Sequence, residues 1–265
     1  MNNKPIGIFD SGVGGLSVFS ELTNLLPDEN YIYFGDTANL PYGSKTKEEL
    51  IHISKNIFDF FQHKSVKAVV MACNTTSAIV YDELKNDYDF KIYPVVQNVS
   101  AQIANDGYKN IGVFATNATI NSHAYKKEIQ NYNKEINVYE IACPEWVSIV
   151  ENSQIYELSS IGNIKLYIDK MLKNNPDKII LGCTHYPYLL DILSKFVPKN
   201  MFINPAIYLA QYIYEDLAYS NLLNTQKHAE TKFYVSSNPE QFKKAAQIFY
   251  NVDKVEEMFL SKLCV

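Results

Sequence analysis

The sequence predicts an α/β protein of two similar doubly wound domains with largely parallel sheets and a functional site in the cleft between them. Three observations predict it. Short runs rich in Val, Ile and Tyr alternate with helical patterns along the chain, as parallel strands covered on both faces require. Two of these runs end in a cysteine followed by hydroxyl and amide residues: AVVMACNTTSA from Ala68 to Ala78, and IILGCTHYPYL from Ile179 to Leu189. The two lie in different halves of a chain of 265 residues, enough for two modest cores.

Taken in order, IGIFD (6–10) reads as the first strand, followed by the glycine loop GVGG and a helix over 15–26. YIYFGD (31–36) is the second strand, with a helix over 45–63 after it. VKAVVMAC (66–73) leads to a helix over 75–85, and KIYPVV (91–96) closes the first sheet. The second sheet takes NIGVFAT (110–116), INVYEIAC (136–143) and DKIILGC (177–183), with helices over 122–132, 161–172 and 187–196. Helices over 206–217 and 239–249 flank a last strand, KFYVS (232–236). The tail after Ala206 carries one clear strand and is too small for its own core, so it is expected to pack back on the first half. The crossings fall near 95–100 and 203–206. The expected domains are therefore 1–97 plus 207–265, and 98–206.

Apolar residues make up 47% of the chain and the net charge is −5. The first places it among globular proteins; the second speaks against nucleic acid as a partner. No run reaches the roughly 18 apolar residues of a membrane span. The start, MNNKPIGIFD, enters a strand without the charged and apolar regions of a signal peptide, so a cytoplasmic protein is expected. All 24 basic residues are lysine. Without arginine, bidentate guanidinium clamping is unavailable, and an anion must be held by lysine, hydroxyls, amides or backbone N–H groups. Four cysteines without a CxxC pair, in a cytosolic chain, point away from disulfides and zinc ribbons.

Ligands of open parallel sheets sit beyond the carboxyl ends of the strands. What these strands deliver there is Asp10-Ser11, Asp36 followed by Tyr42-Gly43, Cys73-Asn74-Thr75, Thr116-Asn117, and Cys183-Thr184-His185. Each of the two cysteines precedes an expected helix start, where backbone N–H groups and the helix dipole favour a thiolate, so both thiols are expected below the usual value of about 8.5. His185, two residues past Cys183, can act on thiol or substrate protons. Asp10 neighbours Cys73 if the first and third strands pair. GVGG with Asp36 imitates a dinucleotide fingerprint, but Ser17 stands at the third glycine position; alternatively the glycines let backbone amides approach a small carboxylate. Cys73, Cys183 and His185 are zinc donors on paper, at an unusual spacing. Cys143 and Cys264 read as structural, and His52, His63, His123 and His228 as solvated. Tyr42, after Pro41, reads as a closure of the pocket, and Trp146 as a cover for a helix start.

FDSGVGG, YFGDTANLPYG, ACNTTSA and GCTHYPYL, in this order and at these separations, resemble the glutamate racemases of the cofactor-independent aspartate/glutamate racemase superfamily over nearly the whole chain. Racemases for aspartate or hydantoins share the two-cysteine layout but not DSGVGG, and the aspartate enzymes typically carry glutamate where His185 stands. The resemblance implies a two-domain fold with the site between the domains, no cofactor, a homodimer, and conversion of L-glutamate to D-glutamate for peptidoglycan. It implies Cys73 and Cys183 as the proton donors and acceptors. Asp10, Ser11, Tyr42, Gly43, Asn74, Thr75, Thr116, Thr184 and His185 then bind or polarise the substrate, with Asp10, His185 and Glu151 also taking catalytic roles and Glu151 near the substrate amino group. PEWVSIVENS departs from the family's usual PLFVPLVEEG, and VVQNVSA replaces a glutamate-proline-glycine stretch. The alternatives are a racemase for a related amino acid such as aspartate, a dinucleotide-dependent oxidoreductase, and an amino-acid-binding protein whose two lobes clasp their ligand.

Overall fold

A computed structural model describes residues 2–226 and 229–260; Cys264 and His228 lie outside them. The wholly buried β1 (Ile6–Asp10) leads to α1 (Leu16–Leu25), and β2 (Tyr31–Gly35) to α2 (Lys47–His63). Thr46 starts α2 with a reciprocal cap: the Glu49 N–H donates to the Thr46 hydroxyl, and the Thr46 N–H donates to the Glu49 carboxylate. β3 (Ala68–Met71) leads to α3 (Asn74–Leu84), and β4 (Lys91–Pro94) runs directly into α4 (Val95–Ile103). Then follow β5 (Asn110–Ala115), α5 (Asn117–Ser122), α6 (Ala124–Tyr132), β6 (Asn137–Ala142), α7 (Glu145–Glu151), α8 (Leu158–Leu172) and β7 (Lys178–Gly182). After a 3-10 turn at Tyr186–Leu189 come α9 (Leu190–Leu193), β8 (Phe202–Ile203) and α10 (Pro205–Tyr219). β9 (Thr231–Val235), α11 (Pro239–Ala246) and β10 (Val255–Glu257) complete the described chain.

The strands form two sheets, ordered β10-β9-β2-β1-β3-β4 and β6-β5-β7-β8, and the pairings are parallel. β9 lies beside β2, with Phe233 opposite Tyr33, so the chain builds the second sheet and then returns to widen the first. α4 carries the chain out and α10 brings it back; they pack on each other, with α1 against α10 and α6 against α4. Among the described residues no helix is long and apolar enough to cross a membrane.

Several expected elements change. The strand expected over 91–96 stops at Pro94, and VVQNVSAQI is helical. The helix expected from residue 122 starts at Ala124. His123 breaks it from α5 in the left-handed region at φ 55°; it is exposed, as expected, and also pairs with Glu140 at 2.6 Å. The helix expected over 187–196 is a 3-10 turn and a single α turn. β8 and β10, two and three residues long, were not anticipated. Trp146 lies in the first turn of α7 and is fully buried, 4.9 Å from the Phe114 ring and 5.0 Å from Tyr186, where the 3-10 turn begins.

At the amino ends of the first sheet, Lys67 and Glu29 form an ion pair with side chains 3% and 2% exposed. The Lys67 ammonium also donates to the carbonyls of Asn2 and Leu222, and Glu29 accepts from the Asn224 N–H. Two remote segments, at Asn2 and at Leu222–Asn224, are thus tied to one buried charge pair. Burial holds the Lys67 ammonium below its usual range, against the pull of Glu29. Glu29→Ala, which strands that charge, is expected to cost about 3–5 kcal/mol in urea unfolding, and Glu29→Leu with Lys67→Met to recover most of it.

Candidate active site

The carboxyl ends of both sheets open on one pocket of about 270 Å³. The first sheet supplies Ser11 after β1, Tyr42 and Gly43 after β2, and Cys73, Asn74 and Thr75 after β3. The second supplies Thr116 after β5, Glu151 from the end of α7, and Cys183, Thr184 and His185 after β7. Among the residues to which the resemblance gives a catalytic or binding role, Asp10 does not line the pocket. It is fully buried behind it, where one oxygen accepts from the Gly12 N–H at 3.0 Å and the other from the Thr184 hydroxyl at 3.4 Å. β1 and β3 do pair, with Phe9 opposite Met71, so Asp10 and Cys73 leave adjacent strands.

The glycine loop serves neither use expected of it. A Cβ on Gly14 would lie 2.4 Å from the Thr184 hydroxyl and 2.5 Å from the His185 ring, and one on Gly15 would lie 2.4 Å from the Asp10 Cβ. The glycines admit side chains of this protein rather than a ligand. The space a dinucleotide pyrophosphate would need beside Gly14 is taken by Thr184 and His185. The Gly12 and Gly15 N–H groups are spent on Asp10, which they help to hold down against the upward push of burial. Cys73, Cys183 and His185 do not gather into a metal-holding group among the described residues.

Around the pocket lie residues to which the sequence assigned no site role. Asp36 is fully buried and accepts from the Tyr42 hydroxyl at 2.6 Å and from the Asn39 amide at 2.9 Å. It fixes the tyrosine that forms one wall. Thr119 joins Thr75 and Thr116 in a hydroxyl cluster with oxygen separations of 3.1–3.4 Å that crosses from one sheet's helices to the other's. Leu40, Pro144 and Val147 add apolar wall. Only Asp36 had a signal in the sequence, as a carboxylate at a strand end. Among the described residues no lysine lines the pocket.

The two thiols differ. Cys73 immediately precedes α3 and so meets a helix start, yet burial pushes its thiol up to about 12. The Asp10 carboxylate adds to this, and hydrogen bonds from Thr76 oppose it only in part. The expected depression fails because a helix terminus is worth about 1 kcal/mol or less in most settings, while full burial can shift a group by several pK units. Cys183 meets no α-helix start at all; a turn and the 3-10 segment follow it. Its sulfur lies 3.8 Å from His185 Nδ1, and His185 Nε2 lies 3.1 Å from Glu151 Oε1. Burial works against charge on His185, but the hydrogen bonds to Cys183 and Glu151 outweigh it and raise the imidazole to about 10. Glu151 thus meets His185, and its side chain is 35% exposed.

A pKa raised from 6.5 means that the folded state binds the His185 proton more tightly than the unfolded chain does. The stability it contributes is complete below about pH 6.5 and is lost as pH rises through about 10. In a pH titration followed by NMR, the His185 ring is expected to remain imidazolium well above pH 8 and to titrate near 10. In Glu151→Gln it should titrate at lower pH.

The model of the Asp/Glu/hydantoin racemase family matches residues 6–213. The glutamate racemase of Carboxydothermus hydrogenoformans is 40% identical over 261 residues, 96% of each chain. The crystal structure of the Francisella tularensis glutamate racemase in complex with D-glutamate matches with a TM-score of 0.92 at 33% identity, over 99% of this chain and 100% of that one. The Escherichia coli glutamate racemase, in complex with L-glutamate and the activator UDP-MurNAc-ala, matches with a TM-score of 0.78 at 27% identity, over 96% and 98% of the two chains. Matched along most of its length by the family model, and nearly end to end by such relatives, the chain belongs to the Asp/Glu/hydantoin racemase family.

Proposed function

We propose that this chain interconverts L- and D-glutamate without a cofactor, with Cys73 and Cys183 as its two acid–base groups. The observation that carries the reading is that two cysteines, each delivered by a different sheet, line one small pocket. The relatives solved with D-glutamate and with L-glutamate support the choice of substrate.

Racemisation removes the Cα proton from one face and supplies another to the opposite face. Two fixed groups flanking the carbon do this with little motion. Cα–H is a very weak acid, so hydrogen-bond donors must stabilise the charge that spreads onto the α-carboxylate. Ser11, Thr75, Thr116 and Thr184 are the neutral donors at hand for that charge, and Asn74 adds one that already meets the carboxylate of the bound substrate. Among the described residues His185 is the one cationic side chain in the lining, and its Nδ1 lies 3.8 Å from the Cys183 sulfur. Cys73 rests as the thiol. The resting enzyme is therefore set to take a proton from L-glutamate with Cys183 while Cys73 delivers its own to the other face, giving D-glutamate. Asp10 acts from behind by orienting Thr184. We further propose domains of 1–97 plus 207–265 and 98–206, a cytoplasmic homodimer, and D-glutamate for peptidoglycan as the product's use.

Circular dichroism with each enantiomer of glutamate tests the activity, with aspartate as the competing substrate. Cys73→Ser and Cys183→Ser are each expected to cut racemisation at least about a hundredfold, since serine is a far weaker acid. In deuterated water, early product should carry deuterium at Cα while the remaining substrate keeps protium. Product that retains substrate protium, or near-normal turnover in either serine variant, would rule out two separate thiols.

A further inference from the structure

Asn74 follows Cys73 and is 4% exposed. Its side-chain oxygen accepts a 2.6 Å hydrogen bond from the hydroxyl of Tyr125. Among the described residues its side-chain nitrogen makes no hydrogen bond, and Asn74 lines the pocket. The amide oxygen is thus spoken for, and the group left to the pocket is the donor NH₂.

Tyr125 sits on α6, beside neither cysteine in sequence, and is fully buried. Its ring lies against Gly182, the residue before Cys183: a Cβ there would be 3.0 Å from Tyr125 Cε2. One phenol therefore touches both cysteine-bearing turns, the first through its hydroxyl and the second through its ring edge. No other use for that hydroxyl appears among its contacts.

We propose that Tyr125 is a positioning residue for the reaction. Its hydroxyl holds the Asn74 amide with the nitrogen facing the substrate carboxylate, and its ring sets the seat of the Cys183 turn. The inference rests on the reading of this pocket as a glutamate site. An amide presenting its oxygen there would repel the carboxylate, and a free amide would present each end part of the time. A fixed donor acts equally on bound substrate and on the transition state, so its loss falls on KM more than on kcat.

Kinetics in both directions for wild type, Tyr125→Phe, Asn74→Ala and the double variant test this, with melting temperatures alongside. Tyr125→Phe keeps the ring. It is expected to raise KM about fivefold for both enantiomers, with kcat within about twofold. In the Asn74→Ala background the same change should have no further effect, because Tyr125 acts through Asn74. Asn74→Asp, which keeps an acceptor for Tyr125 but turns a carboxylate towards the substrate, should raise KM more than Asn74→Ala does. This comparison decides the matter even if Tyr125→Phe fails to fold. An unchanged KM in Tyr125→Phe, effects that multiply in the double variant, or a wild-type KM in Asn74→Asp would each overturn the proposal. Wild-type protein inactive on both glutamate enantiomers would instead overturn the functional reading.

Discussion

The close approach of the glycine loop to the turn after β7 governs the arrangement around it. Gly14 carries no side chain where Thr184 and His185 already stand, and Thr184 reaches past it to Asp10. The carboxyl ends of two sheets therefore meet directly, and the pocket is what remains between them. A side chain at Gly14 would wedge the sheets apart or displace the imidazole. Because the contact is so tight, the groups around it are dry, and their charge states follow from burial before anything else.

That dryness explains an electrostatic asymmetry between two cysteines that look equivalent in the sequence. Cys73 shares its surroundings with a buried carboxylate and is pushed towards the thiol. Cys183 faces an imidazole that Glu151 helps keep charged. A chain without arginine, in a pocket without lysine, places one cationic side chain in the lining and rests the remaining recognition on hydroxyls and amides. Such groups have to be aimed, since an amide facing the wrong way repels what it should bind. Buried partners such as Asp36 for Tyr42 supply that aim.

The strand ends that build the pocket were legible because the chemistry is local: a β-branched run followed at once by Cys-Asn-Thr or Cys-Thr-His says both where the sheet stops and what it presents. The long-range features were not legible. KIYPVVQNVSAQI passes from strand to helix with no loop between them, and only the way α4 packs on α6 and α10 tells where strand becomes helix. β8 exists because two residues find Ile179 and Ile180 beside them, and β10 because β9 offers an edge. The expectation for the Cys73 thiol failed for a related reason: a helix start can be read from neighbours in sequence, whereas burial is set by the whole fold. Tyr125 carried no signal, since its partners lie 51 and 57 positions away.

The return of the chain to its first sheet also has a consequence during synthesis. Residues 110–203 hold every strand of the second sheet, so that unit can close as soon as it leaves the ribosome. The first sheet cannot. The outer edge of β2 finds its native neighbour only when residues 231–235 have been made, and until then it offers an open row of backbone donors and acceptors to other chains. The unit that starts first is finished last, and the nascent protein is most open to mispairing in the interval between α10 and β9.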